Sequence, residues 1–196
     1  MRKLKYKNWS VVLKYAESIR DGKKIACPEL KQAVDRFFLD LENTDYEINY
    51  RDPEFCIQII EKTICHQQGE RLDGTPLRGE PFLLEPFHKF IIYNLVGFKL
   101  KGTEILRFHE ALIFIPRKNI KTSFAAALAW ALSLLYRRSG AKTYIASAAL
   151  MQSLESFNFL QYNVDRMGEN QKNGGSIKVI DNNNEHSLES VSYTHL

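Results

Sequence analysis

The residues best suited to chemistry lie in one basic turn, residues 116–123, which reads Pro-Arg-Lys-Asn-Ile-Lys-Thr-Ser. The basic turn follows a short apolar run, residues 111–115, and precedes a long Ala/Leu-rich segment that favours a helix. A loop in this position can direct its amides and the N-terminus of the next helix at an anion, and the helix dipole adds to the attraction. We therefore expect a phosphate-binding loop, the alternative being an ordinary basic strand-to-helix turn.

The spacing of the basic turn partly matches the phosphate-loop pattern GxxxxGK[ST]. Lys121 would reach the β- and γ-phosphates of a nucleotide, and the Thr122 hydroxyl would ligate Mg²⁺. Isoleucine occupies both glycine positions, at Ile115 and Ile120. If the loop needs a positive φ before the lysine, Ile120 is strained by about 1–3 kcal/mol.

The charges of the basic turn also indicate a function. Arg117, Lys118 and Lys121 place three cations within five residues at the predicted start of a helix. Cations there oppose the helix dipole and destabilise the helix by roughly a few tenths of a kcal/mol each. A bound polyanion would remove this cost, whereas a sequence selected for stability alone would have acidic residues here.

Strands and helices are predicted to alternate around the basic turn. Apolar runs at residues 111–115, 143–147 and 177–181 indicate buried strands, and residues 121–136 and 151–167 indicate the helices between them. This order predicts an α/β fold, namely a P-loop NTPase-type parallel sheet with crossover helices, present as an incomplete domain.

A helical N-terminal segment is predicted to precede the sheet. Amphipathic or apolar helices begin near Pro28, Pro53 (continuing to about Gly69) and Pro86, because proline suits the first helical position. We expect a helical lead-in over residues 1–80, a partial P-loop ATPase core over 81–188 and an unassigned tail over 189–196.

Composition bounds the class of protein. The 196 residues carry a formal net charge of +4, which permits a polyanionic partner without requiring one. The three cysteines have no zinc-site spacing, so buried thiols in a reducing compartment are the simplest expectation. The longest apolar run, residues 124–135, is too short to cross a bilayer, so we expect a buried helix and no membrane partner.

The basic turn resembles the deviant Walker A motif of phage terminase large subunits, the DNA-packaging motors, which typically reads PRKNGK[ST]. The mismatch in the core of the motif is Ile120, since the first glycine is usually absent in that family. Three other segments are similar to the family: residues 15–25 to its N-terminal helix and turn, residues 84–88 to its LxPWQ adenine-side motif, and residues 144–152 to the strand and helix after the loop. The similarity covers roughly residues 10–185.

The resemblance implies ATP and Mg²⁺ as cofactors and assigns roles to individual residues. Lys121 and Arg117 would be catalytic, with Arg117 contacting or sensing phosphate, and Thr122 would be the metal ligand. Phe87 would pack near the adenine, whereas His88 stands where glutamine is usual, and the simpler expectation for it is a solvated helix residue. The nucleotide would contact the whole basic turn: Pro116, Arg117, Lys118, Asn119, Ile120, Lys121, Thr122 and Ser123.

The implied function is that of an ATPase motor that couples hydrolysis to translocation of double-stranded DNA through backbone contacts. The resemblance also implies the host cytoplasm during virion assembly, a homo-oligomeric full-length protein, and the terminase small subunit and portal as partners. The last predicted strand ends in Asp181-Asn182 instead of the Asp-Glu of a Walker B motif. We therefore expect the front part of a longer protein that hydrolyses ATP weakly or not at all. The alternatives are a helicase-like P-loop NTPase and a non-enzymatic basic helical DNA-binding module.

Overall fold

The computed structural model of the protein describes residues 6–116, 119–137, 142–183 and 185–190. Helices dominate, and the strands are short. The elements in chain order are α1 (Lys7–Arg20), α2 (Pro28–Glu42), β1 (Tyr46–Ile48), α3 (Arg51–Thr63), α4 (Pro86–Gly97), β2 (Phe98–Leu100), α5 (Lys121–Leu135), α6 (Leu150–Met167), β3 (Ile177–Asp181) and β4 (His186–Ser190).

The chain divides into two compact units. The first unit comprises the described residues up to Ile59 together with Leu83–Phe114, and the second comprises Ile60–Phe82 together with the described residues from Ile115 onward. The domain boundaries expected from the sequence, after residues 80 and 188, stay a prediction.

In the first unit, α1 packs against α2 and α4. The buried side chains of α1, which include Val12, Ala16 and Ile19, recur at the three- and four-residue spacing of one helix face. A buried carboxylate fixes the start of this helix. Glu54 accepts hydrogen bonds from the Asn8 backbone amide (2.8 Å) and from the Tyr93 hydroxyl (2.8 Å).

In the second unit, α5 packs against α6. Both helices contribute fully or nearly fully buried apolar side chains, among them Phe124, Ala127 and Ala131 of α5 and Val164 of α6. The buried side chain of Asn163 on α6 accepts a hydrogen bond from the Cys65 amide (2.7 Å) and donates one to the Cys65 carbonyl (3.2 Å). The packing against α6 therefore fixes the position of α5 within this unit, including the residues at its N-terminus.

The predicted parallel sheet is wrong. Strand β1 pairs with β2 and β3 pairs with β4, both antiparallel, and the described part of the chain contains no sheet of parallel strands. The described residues therefore do not form the α/β P-loop fold that the sequence predicted.

Two of the three predicted strands are not strands. Residues 111–115 and 143–147 lie outside any ladder, and their large side chains are exposed: Leu112 by 95%, Phe114 by 92% and Tyr144 by 83%. An apolar run becomes a buried strand only where neighbouring strands satisfy its backbone groups, and the run itself does not determine whether such neighbours exist. The third run, 177–181, does form β3, but it pairs with a strand that follows it directly.

Most of the predicted helices are present near their expected positions. Helices α2, α4, α5 and α6 begin and end within a few residues of the expected positions. Helix α3 ends at Thr63 and not near Gly69, because the chain turns into an irregular hairpin in which the Phe82 amide donates to the Ile64 carbonyl (3.0 Å). None of the helices in the described residues has the length and apolar character needed to cross a bilayer.

Candidate nucleotide-binding turn

The basic turn lies in the second unit, directly before α5. The structure describes Pro116 and residues 119–123 of it, while Arg117 and Lys118 lie outside the described residues, so their phosphate contacts stay predictions. The Asn119 side-chain amide donates a hydrogen bond to the Pro116 carbonyl at 3.3 Å. Such a side-chain to backbone bond between residues three apart stabilises a turn.

Ile120 has an unusual backbone conformation. Its φ of 46° and ψ of 29° place it in the left-handed region, and it is the one non-glycine residue with positive φ in the described part of the chain. A β-branched side chain in this region is strained by about 1–3 kcal/mol. A phosphate loop that needs a positive φ before its lysine would place that strain at Ile120, and Ile120 has this positive φ.

The left-handed residue starts helix α5. The Ile120 carbonyl accepts the Phe124 amide hydrogen at 2.8 Å, so the first helical hydrogen bond closes across Lys121, Thr122 and Ser123. By helix geometry, the amides of these three residues have no acceptor within the helix. The apolar side chain of Ile120 supplies no cap, and the first turn holds no acidic residue. The start of α5 therefore presents backbone donors with no side-chain cap from Ile120, as an anion site requires.

The side chains of this first turn add further donors. Lys121 is exposed, whereas Thr122 and Ser123 are half-buried beside it. An exposed ammonium next to three helix N-terminal amides and two hydroxyl groups can bind a phosphate group by charge-assisted hydrogen bonds. Phe124, which is 1% exposed, anchors the next position in the core and fixes the direction of this turn.

The predicted adenine-side residues, Phe87 and His88, lie in the first unit at the start of α4. His88 is fully buried, so the expectation of a solvated helix residue is wrong. Its Nδ1 accepts the Glu85 backbone amide hydrogen at 3.2 Å, and the Glu85 carboxylate accepts the His88 backbone amide hydrogen, so the two residues form a capping box. Phe87 is half-buried, and its ring centroid lies 3.8 Å from that of His88.

Burial controls the charge of His88. Desolvation lowers its pKa from 6.5 to about 4, so the ring is neutral at pH 7 and can accept the Glu85 hydrogen bond. Sequence reasoning missed this role, although a residue with a hydrogen-bonding side chain three positions after Glu85, with Pro86 between them, is the spacing of a capping box.

The residues that could hold a metal are few. Thr122 supplies one half-buried hydroxyl, and the described residues contain no group of three or more His, Cys, Asp or Glu side chains placed to share an ion. Mg²⁺ commonly keeps several waters and uses nucleotide phosphates as ligands, so a single hydroxyl fits a Mg²⁺–nucleotide complex better than a free ion. Asp181, at the end of β3, lies with its Oδ1 2.7 Å from the Nδ1 of His186.

Comparisons with known proteins add no identification. No family model, no curated protein and no solved structure matches the chain. The support for a function therefore comes from the residues of the basic turn, the flanking motifs and the geometry just described.

Proposed function

We propose that the chain is the nucleotide-binding part of a motor ATPase of the phage terminase type, with the basic turn as its ATP–Mg²⁺ site. In the assembled motor, ATP hydrolysis would power the translocation of double-stranded DNA in the host cytoplasm. The partners would be further copies of the chain, a terminase small subunit and a portal. One observation carries the proposal: a left-handed residue, Ile120, stands directly before Lys121 at the start of α5. Phosphate binding by a helix N-terminus does not require a parallel sheet.

Two unfavourable features coincide at the start of α5. The strain at Ile120 and the placement of Lys121 at the positive end of the helix dipole both disfavour this conformation of the turn when no anion is bound. A triphosphate offsets both, because its negative charge reverses the dipole penalty and its oxygens accept from the amides that the left-handed bend directs outward.

Each residue then has a proposed role. The Lys121 ammonium contacts the β- and γ-phosphates, and the Thr122 hydroxyl holds Mg²⁺ together with the phosphate oxygens. When bound, ATP–Mg²⁺ supplies the phosphoanhydride bond whose hydrolysis powers the motor. His88 keeps the N-terminus of α4 capped and contacts the ring of Phe87. The packing of Phe87 near an adenine, which the resemblance implies, stays a prediction.

Calorimetric titration with ATP–Mg²⁺ tests the proposal through Lys121. The Lys121→Ala variant should lose about tenfold or more in affinity, because a charge-assisted hydrogen bond contributes about 1.5–3 kcal/mol. Lys172→Ala, which removes another exposed lysine from the second unit, is the matched control and should bind like the wild type.

Equal affinities of the Lys121→Ala and Lys172→Ala variants would contradict the proposal. So would salt-sensitive DNA binding by a wild-type chain that binds no ATP. That result would favour the alternative class, a non-enzymatic helical DNA-binding module.

A further inference from the structure

The distribution of charge along the chain is uneven around α5. Between Glu110 and Glu155 the sequence contains no acidic residue, although the whole chain has 23 Asp and Glu in 196 residues. The same stretch carries six of the 27 Lys and Arg. A solvated surface normally mixes both signs, so a long one-signed stretch indicates an anionic partner.

The described cations of this stretch flank the apolar body of α5 on both sides along the chain. Helix α5 has no charged residue after Lys121, and the next described cations, Arg137 and Lys142, lie beyond its C-terminus. Both are exposed. The Thr143 Oγ1 lies 3.4 Å from the Ser133 Oγ in the last turn of α5, so the residue that follows Lys142 contacts the C-terminal end of this helix.

An exposed aromatic residue extends the same surface. Tyr144 follows Lys142 by two residues and is 83% exposed, so its ring and hydroxyl are available to a partner. A cation beyond a helix C-terminus is favourable to the dipole, which accounts for Arg137 alone. It does not account for Lys142, for Tyr144, or for the missing acidic residues.

We propose that Arg137, Lys142 and Tyr144, here called the α5 C-terminal patch, bind the sugar–phosphate backbone of double-stranded DNA. Guanidinium, ammonium and phenol groups are common donors to phosphate oxygens. The helix C-terminus carries partial negative charge that repels phosphate, so attraction here depends on the two cations. The choice of DNA as the polyanion rests on the proposed function, whereas the location of the patch rests on charge and exposure.

Fluorescence anisotropy with a labelled 30-base-pair duplex tests the patch. The double variant Arg137→Ala/Lys142→Ala should bind several-fold more weakly at low salt, and the slope of log K against log salt should fall by about 1.8, since each lost phosphate contact removes about 0.9. The matched control is Arg166→Ala/Lys172→Ala, which removes one exposed arginine near the end of α6 and one exposed lysine, both from the second unit. The control should keep the wild-type slope.

The outcomes separate this inference from the proposed function. Loss of DNA affinity in the patch variant with wild-type ATP binding, both double variants retaining the wild-type melting temperature, supports the patch whatever Lys121→Ala does to ATP. An unchanged slope, an equal loss in the control, or no binding of duplex by the wild type overturns it. Tighter binding of a single strand of equal length, abolished by Tyr144→Ala, would also overturn it, because base stacking on Tyr144 and not duplex backbone contact would then dominate.

Discussion

At the residue scale, the left-handed backbone conformation of Ile120 is the feature on which the proposed function depends most. Residues held in sparsely populated conformations persist where the surroundings determine them, and they cluster at ligand sites. Glycine adopts the left-handed region without the steric cost of a Cβ, so it is the residue that stability alone would favour here. The chain instead keeps a β-branched residue at φ 46°.

Replacing Ile120 with glycine should therefore strengthen nucleotide binding. The left-handed conformation costs isoleucine roughly 1 kcal/mol or more relative to other conformations of the free turn. Glycine removes this cost, so the turn is more often in the conformation that binds, and the affinity should rise by about fivefold. Calorimetric titration with ATP–Mg²⁺ measures it, with Ile120→Val as the control that keeps the β-branch. Unchanged or weaker binding by Ile120→Gly would show that the bound turn does not need the left-handed conformation.

His88 should give the protein a characteristic dependence of stability on pH. Its pKa is about 4 in the folded state and 6.5 as an unperturbed side chain, so the unfolded chain binds the proton more readily. The stabilisation is therefore fully present above pH 6.5 and is lost as the pH falls toward 4. Urea unfolding of wild type and His88→Gln measures this, since glutamine can still accept the Glu85 amide hydrogen but does not titrate.

We expect the free energy of unfolding of wild type to fall more steeply than that of His88→Gln between pH 6.5 and 4, by roughly 1–3 kcal/mol in total. Parallel curves for the two proteins would contradict the buried, neutral histidine.

Ile120 and His88 differ in how far the sequence alone could predict them. The strain at Ile120 was predictable because it follows from a residue type at a fixed place in a motif, whereas the burial of His88 depends on packing that no local pattern determines.

At the scale of elements, the buried carboxylate of Glu54 connects α3 with the first turn of α1. It accepts hydrogen bonds from the Asn8 amide and side chain, from the Trp9 amide and from the Tyr93 hydroxyl. The helix that it caps has no side-chain cap of its own. Burial raises the pKa of Tyr93, and the hydrogen bond to the Glu54 carboxylate raises it further.

Glu54→Gln should destabilise the protein by about 2–3 kcal/mol, because a glutamine amide cannot accept from all four donors and leaves at least one of them buried without a partner. Chemical denaturation measures the change. Glu155→Gln, at an exposed position on α6, should stay within about 0.5 kcal/mol of wild type. Equal stabilities of the two variants would mean that Glu54 does not hold α1.

The helices and strands also show which sequence signals are sufficient to predict an element. Helices α2 and α4 begin at the prolines that predicted them, and α5 and α6 follow their expected ranges, because capping and helical periodicity are local properties. The run at residues 111–115 looked like a strand by the same local criteria, yet it has no partner. Strand pairing is a non-local property, and only the short connection between β3 and β4 made a pairing local enough to form a hairpin.

At the scale of the whole molecule, the fold differs from the predicted one, whereas the basic turn and the helix after it are present. The described chain is mostly helical with two small antiparallel sheets, so the motif at residues 116–123 predicted a turn and a helix but not the sheet that usually accompanies them. The proposal therefore concerns the basic turn alone: Ile120, the Lys121 ammonium and the first amides of α5 are proposed to bind a triphosphate. Its test must locate the nucleotide on the intact chain.

That test is a titration of the ¹⁵N-labelled protein with ATP–Mg²⁺, followed by amide chemical shifts. The account predicts that the largest saturable shifts fall on residues 119–123 and disappear in Lys121→Ala but not in Lys172→Ala. Saturable shifts centred elsewhere in the chain, or shifts at residues 119–123 that persist unchanged without the Lys121 ammonium, would contradict it.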